Sequence, residues 1–267
     1  MIWANVIVLA VIQGVTEFLP VSSSGHLLIA KELLGLESPG VRLEVVLHLG
    51  TMLAVLAYYR RRLAALLAGM ARGERTAWGT AGLLLLSMVP AALFWWVCGE
   101  RLDALFADTR LAATVAAAML WVTGLLLLSI GLARRADGET VSPAQAWWIG
   151  CLQAVAILPG ISRSGSTITV ARHLGLRPDK AAEFSFLMSV PILVAGAAVD
   201  FLRGRSAADP GVLGAAHYIV GAAIAAGVGY VAIGMLVRWL CRGRYRVFAV
   251  YCFAAGTVAL LWLQLAR

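Results

Sequence analysis

The chain has 267 residues, of which 61% are apolar and 13% charged, with a mean hydropathy of +0.86. A soluble domain averages about 45–50% apolar and about 25% charged residues, which excludes a soluble single domain, a disordered chain and a nucleic-acid binder. The net charge of +8 comes mainly from Arg, 20 of the 22 basic residues, clustered between long apolar runs. That is the pattern of membrane topology rather than of a basic binding patch.

In chain order, the run from Met1 to Leu19 is ended by Pro20 and a Ser-Ser-Ser-Gly cluster. It lacks the basic start of a signal peptide, and its pattern recurs mid-chain, so it is expected to be retained. Stretch 41–59 is short and opens with Arg42 and Glu44. Stretches 77–98, 111–133, 181–202, 211–237 and 247–266 are each long enough to cross a bilayer, which takes ~20 apolar residues. Cys98, Cys151, Cys241 and Cys252 lie in or beside these runs without C-x-x-C spacing and read as buried thiols.

Sliding the chain by 140 positions lays residues 10–36 on 150–176 with 8 identities in 27; chance gives roughly two or three. Gln13 meets Gln153, Ser22 meets Ser162, Ser24 meets Ser164, and Gly25 meets Gly165. Val15 meets Val155, and Leu34-Gly35-Leu36 meets Leu174-Gly175-Leu176. The offset also carries 41–59, 77–98 and 111–126 onto apolar segments. The chain therefore reads as a single integral-membrane domain, 1–267, built of two units, about 1–133 and about 141–267.

Each unit starts with an apolar segment, a Pro/Gly/Ser loop and a short second segment, about 23–34 or 163–174. Twelve helical residues reach only ~18 Å, too short to cross. Each unit thus opens with a re-entrant helical hairpin, followed by three transmembrane helices. An odd number of crossings inserts the second unit upside down. The expected fold is an all-α membrane protein with an inverted-topology repeat, its site near the midplane.

With both termini outside, the inside loops hold 14 basic residues: Arg60, Arg61, Arg62, Arg72, Arg75, Arg134, Arg135, Arg172, Arg177, Lys180, Arg238, Arg242, Arg244 and Arg246. The outside holds seven: Lys31, Arg42, Arg101, Arg110, Arg203, Arg205 and Arg267. Positive charge inside favours this orientation. The Trp95-Trp96 and Trp147-Trp148 pairs read as interfacial belts.

Polar groups at membrane depth need a reason. The first tip, QGVTEFLPVSSSGH at 13–26, places Gln13 and Glu17 on one helix face. It offers Ser22, Ser23 and Ser24 as helix caps or nucleophiles, with His26 three residues after Ser23. The second tip, LPGISRSGST at 158–167, carries Ser162, Arg163, Ser164, Ser166 and Thr167. Helix N-termini preceded by hydroxyls and glycine suit anions, and a guanidinium fork suits phosphate oxygens. A carboxylate, an imidazole, hydroxyls and an Arg fit phosphoryl transfer. A structural Glu17–Arg163 ion pair between the units is the competing reading. His48, Glu44 and Glu183 read as supporting groups, and His173 and His217 as structural.

TEFLPVSSSGH at 16–26, LEVVLHLGT at 43–51, LPGISRSGSTIT at 158–169 and EFSFLMSVP at 183–191 together resemble the undecaprenyl-diphosphatase, or bacitracin-resistance, family of bacterial membrane phosphatases. The resemblance runs over essentially the whole chain. It implies dephosphorylation of undecaprenyl diphosphate to the monophosphate lipid carrier of peptidoglycan synthesis. It further implies a divalent cation, Mg²⁺ or Ca²⁺, and a site facing the outer side of the plasma membrane. By the same resemblance Glu17 is the essential carboxylate and a metal ligand, Ser23 the nucleophile, His26 its neighbouring acid/base and Arg163 the phosphate clamp. Gln13, Ser22, Ser24, Gly25, Ser162, Ser164, Gly165 and Thr167 would bind substrate. Gln13 stands where many members have Glu, so at these two positions this tip offers a metal one carboxylate rather than two.

Lipid phosphatases of the phosphatidic-acid phosphatase type need a Lys ahead of the serine motif and a His six residues after the Arg. Here no Lys precedes Ser22, and Thr169 holds the second position. Three functions from different classes are open to such a chain: a polyprenyl diphosphate phosphatase, a transporter or flippase, and a structural membrane protein. The phosphatase is favoured. The partners expected are a polyprenyl diphosphate, membrane lipids and, as an option, a second copy of the chain in a homodimer, with no nucleic acid; the sequence does not fix the oligomeric state.

Overall fold

The computed structural model describes residues 2–34, 41–133, 137–202 and 213–265. The expected matches at Gly35 and Leu36 and the topological charges Arg134, Arg135, Arg203, Arg205 and Arg267 lie outside them. Twelve α-helices account for nearly all of the described chain. They are α1 (Ile2–Phe18), α2 (Ser23–Leu34), α3 (Val41–Tyr58), α4 (Arg60–Ala71), α5 (Arg75–Leu86), α6 (Val89–Leu105), α7 (Thr109–Ser129), α8 (Pro143–Val155), α9 (Arg163–His173), α10 (Pro178–Leu202), α11 (Ala215–Cys241) and α12 (Tyr245–Leu265). The one β contact among the described residues is an isolated bridge, Gly138 to Leu176. This is an all-α, multi-pass membrane protein.

Five helical stretches are long and apolar enough to cross: 75–105, 109–132, 178–199, 215–241 and 245–265. A sixth arises if α3 and α4, bent by 76° at Tyr59, count as one. Large apolar side chains face outward along them, including Trp96, Val97, Leu125, Ile219, Val231 and Val258. A soluble protein would not expose so much apolar surface; here it faces lipid. The bend after α3 puts Arg60, Arg61 and Arg62 at the start of an amphipathic helix, where the sequence reading had only a basic loop.

Local signals explain the helix starts. Asp108 caps α7 by accepting from the backbone N–H of Arg110 and Leu111. Ser142 and Gln145 close a reciprocal capping box on α8, with Pro143 in the first turn. α1 has 17 residues, α2 has 12 and α9 has 11, so none reaches ~30 Å at 1.5 Å per residue.

The packing repeats at the 140-residue offset. α1 packs on α2 and on α11; their counterparts α8 and α9 pack together, and α8 packs on α5 and α6. The paired helices α3 with α10 and α7 with α12 also touch. Small residues allow these approaches, as they do between membrane helices generally. A Cβ on Gly50 would sit 2.5 Å from the Ala222 carbonyl, and one on Gly256 2.7 Å from that of Ala117.

Away from the tips, His217 stacks on Trp3 and accepts from the Gly214 N–H, and His173 bonds Ser129. Glu183 is bound by Arg62 at 2.8 Å and Lys180 at 2.9 Å, tying α4 to α10. Glu44 pairs with Lys31.

Candidate active site

The two tips carry the same capping device. Ser22 Oγ accepts from the Gly25 N–H at 3.3 Å, and Ser162 Oγ from the Gly165 N–H at 3.1 Å. Ser22 Oγ also meets Ser24 Oγ at 3.3 Å, and Ser162 Oγ meets Ser164 Oγ at 3.2 Å. The tips also lie against each other. A Cβ on Gly25 would come 3.1 Å from Gly160 Cα, and one on Gly165 3.3 Å from Pro20 Cβ. Ser164 Oγ donates across to the Leu19 carbonyl at 3.3 Å. Thr123 of α7 holds the second tip, donating to Gly160 O and accepting from the Ser162 N–H, both at 3.0 Å.

Ser22 has φ +69°, the one non-glycine residue with positive φ among those described. Such a conformation costs roughly 1–2 kcal/mol. It persists because the hydroxyl of Ser22 is held by Gly25 and its carbonyl accepts from His26, through both backbone N–H and ring Nδ1. This kink delivers the first residue of α2, Ser23, to the carboxylate of α1.

Glu17 is the hub. It is 7% exposed. Ser23 Oγ donates to its Oε2 at 2.6 Å, and Gln13 Nε2 donates to the same oxygen at 3.1 Å. Arg163 Nη2 donates to Oε1 at 2.5 Å. His48 Nε2 lies 3.7 Å from Oε2; its Nδ1 faces the Glu44 carbonyl at 2.8 Å and therefore carries the proton. The Glu17–Arg163 ion pair weighed as a purely structural bridge is present. A guanidinium has five donors, and two are engaged here, on Glu17 and on the Ser185 carbonyl.

Glu17, Ser23, His48 and Arg163 of this cluster line a cavity of about 590 Å³. Its polar lining is Glu17, Ser22, Ser23, Ser24, His48, Gln153, Ser162 and Arg163. The rest is mostly apolar and includes Ala91, Ala92 and Trp95 of α6, Ile157 and Ile161, and Leu193 of α10. Gln13, Gly25, Ser164, Gly165 and Thr167 do not border it; they support the tips from behind. Thr167 bonds Ser185 of α10 at 2.7 Å, beside the carbonyl that holds Arg163.

His26 is not brought to Ser23. Nδ1 bonds the Ser22 carbonyl and Nε2 the Tyr251 hydroxyl, each at 2.8 Å, and the ring stacks on Tyr251. Three-residue spacing on a helix predicted adjacency, but Ser23 leaves α2 toward Glu17 while His26 turns toward α12. His48, read from sequence only as a supporting group, reaches the cavity instead; LEVVLHLGT was its signal.

Matching over residues 6–258 to the family model "Bacitracin resistance protein BacA" decides the family. The chain belongs to the bacitracin resistance protein BacA family. It is 41% identical over 274 residues to a protein of Rubrobacter xylanophilus named undecaprenyl-diphosphatase, covering 96% of this chain and 97% of that one. A Rhodopirellula baltica protein of the same name is 38% identical over 263 residues, covering 96% of each chain. A third, from Hahella chejuensis, is 36% identical over 280 residues, covering the full length of both.

A divalent cation was part of the expectation. Among the described residues no three His, Cys, Asp or Glu side chains form a cluster that could hold one. Both oxygens of Glu17 are already engaged, one by a permanent cation. The residues present do not fit a cation held by protein alone.

Proposed function

We propose that this chain hydrolyses undecaprenyl diphosphate to undecaprenyl phosphate and inorganic phosphate, returning the lipid carrier to peptidoglycan synthesis and conferring bacitracin resistance. The relatives' name supplies the reaction. One observation carries it to these residues: Ser23 and Arg163 meet on opposite oxygens of Glu17, in the wall of a cavity whose other lining residues are mostly apolar. An amphiphile with an anionic head and a hydrocarbon tail matches that lining. A hydrophilic solute does not.

In this reading the head lies against Arg163 and the serines of the two helix N-termini, where positive charge and N–H groups favour phosphate. Ser23 Oγ attacks the terminal phosphorus. The Oγ–P bond forms as the bridging P–O bond breaks, and undecaprenyl phosphate leaves. Glu17 takes the hydroxyl proton and hands it to the leaving phosphate. Water then attacks the phosphoserine, the Oγ–P bond breaks, and Glu17 returns the water's proton to Ser23. Arg163 neutralises charge on the phosphoryl oxygens throughout, as phosphoryl transfer requires. His48, whose Nε2 lies 3.7 Å from Glu17 Oε2, supports the proton relay. His26 holds the Ser22 kink rather than the proton.

A Mg²⁺ or Ca²⁺ requirement belongs to the proposal only as a cation arriving with the diphosphate, because phosphate oxygens complete such sites where protein ligands are few. The two units are read as an inverted-topology repeat with both termini outside, in the bacterial plasma membrane. The cavity then opens to its outer face. A homodimer is compatible with this reading.

Phosphate release from undecaprenyl or farnesyl diphosphate by detergent-purified protein tests the proposal. A transporter or flippase of the same architecture releases none.

A further inference from the structure

Gln153 of α8 lines the same cavity, is 3% exposed, and has no role in the steps above. Its Nε2 donates to the Ser87 carbonyl at 3.4 Å. That carbonyl only accepts, which fixes the NH₂ on its side. Oε1 is left buried with no partner among the described residues. The counterpart in the first unit, Gln13, spends its Nε2 on Glu17; in the second unit Ile157 stands at the position of Glu17, so Gln153 has no carboxylate to serve.

Gln13 Oε1 is likewise without a partner, but only Gln153 borders the cavity, so an occupant of the cavity can supply the donor that its buried carbonyl oxygen needs. Phosphate oxygens at neutral pH are acceptors and would be repelled. Among the reactants, water brings an O–H. We infer that Gln153 is a positioning residue for the hydrolytic water: Oε1 accepts one of its protons and turns its lone pair toward phosphorus. A glutamine orienting an attacking water is an established device in phosphoryl transfer. The inference rests on the phosphatase reading and concerns its second step, attack of water on phosphoserine. The Oγ–P bond breaks, a new O–P bond forms, one water proton passes by Glu17 to Ser23, and the other stays with the phosphate.

The test is Gln153→Met, near in shape and without the acceptor, assayed with β-³²P-labelled undecaprenyl diphosphate. Expected are an unchanged or higher melting temperature, KM within about threefold, kcat reduced about 10- to 100-fold, and acid-stable label trapped on the protein. Gln153→Glu, which keeps an acceptor, should retain more turnover than Gln153→Met. A kcat within twofold of wild type, absence of trapped label, or a raised KM with Gln153→Glu the weaker variant would each overturn the inference. The last pattern would mark the amide as a phosphate donor. Failure of the wild type to release phosphate would overturn the phosphatase reading and this inference with it. An active wild type beside an unaffected Gln153→Met overturns this inference alone.

Discussion

Ser23 and Arg163 are equivalent residues of the two units, each the first of its helix and 140 positions apart, and both hydrogen-bond Glu17, at 2.6 Å and 2.5 Å. The capping contacts around them are repeated nearly atom for atom, while the residues at this one position have diverged into a hydroxyl and a cation. A repeated scaffold thus sets a hydroxyl and a guanidinium on the two oxygens of one carboxylate.

The seat of the second tip on α7 depends on an absent side chain. Gly160 has φ +91°, and a Cβ there would lie 2.1 Å from the Ala116 carbonyl; Gly175 has φ +95° with nothing within 4 Å. Gly175→Ala should cost only the left-handed backbone, about 1 kcal/mol. Gly160→Ala adds a clash with backbone and should cost more than about 3 kcal/mol. Thermal melts in detergent check the order; equal melting temperatures would contradict it.

The ion pair serves two roles that variants separate. Arg163→Ala strands a buried carboxylate, which typically costs ~3–5 kcal/mol, and removes the phosphate contact. Adding Glu17→Gln should recover much of the lost stability and none of the turnover. Arg163→Lys should restore turnover only in part, because an ammonium lacks the fork. Melts and phosphate release on the four proteins give the comparison.

His26 is expected to matter through the Ser22 carbonyl it holds at 2.8 Å. An Asn amide placed there donates the same bond. His26→Asn should keep kcat within about tenfold of wild type, whereas loss of a general acid/base costs on the order of 10²–10⁴. Phosphate-release kinetics distinguish the two.

Topology has its own measurement. Single cysteines replacing Arg60 and Arg242 should be labelled by an impermeant thiol reagent only from the cytoplasm, and one replacing Asp103 only from outside. Labelling of the Arg60 position from outside would contradict the inverted arrangement of the two units.

Most of the helical layout was legible because membrane spans are written in composition and length. The tips were legible because Pro20, the serines and the 140-residue repeat mark them twice. What the spacing could not show was direction. Ser23 and His26 share a helical face on paper, but Ser23, at the first position of α2, is drawn off by Glu17, and His26 finds Tyr251, 225 residues away. The 76° bend after Tyr58 was hidden because RRRLAALLAGMA reads as a charged loop until its apolar positions are set at helical spacing. Gln153 showed only as a repeat match, since an unpartnered oxygen is a property of the packed cavity.

The central claim, that Ser23 Oγ is the attacking group, is tested most directly by phosphate release from undecaprenyl diphosphate with Ser23→Ala, alongside substrate binding and a thermal melt. The account predicts binding and stability near wild type with turnover essentially abolished, since a lost nucleophile costs far more than a lost hydrogen bond. Turnover above about a tenth of wild type would contradict it, and direct attack by water, with Glu17 as the base, would take its place.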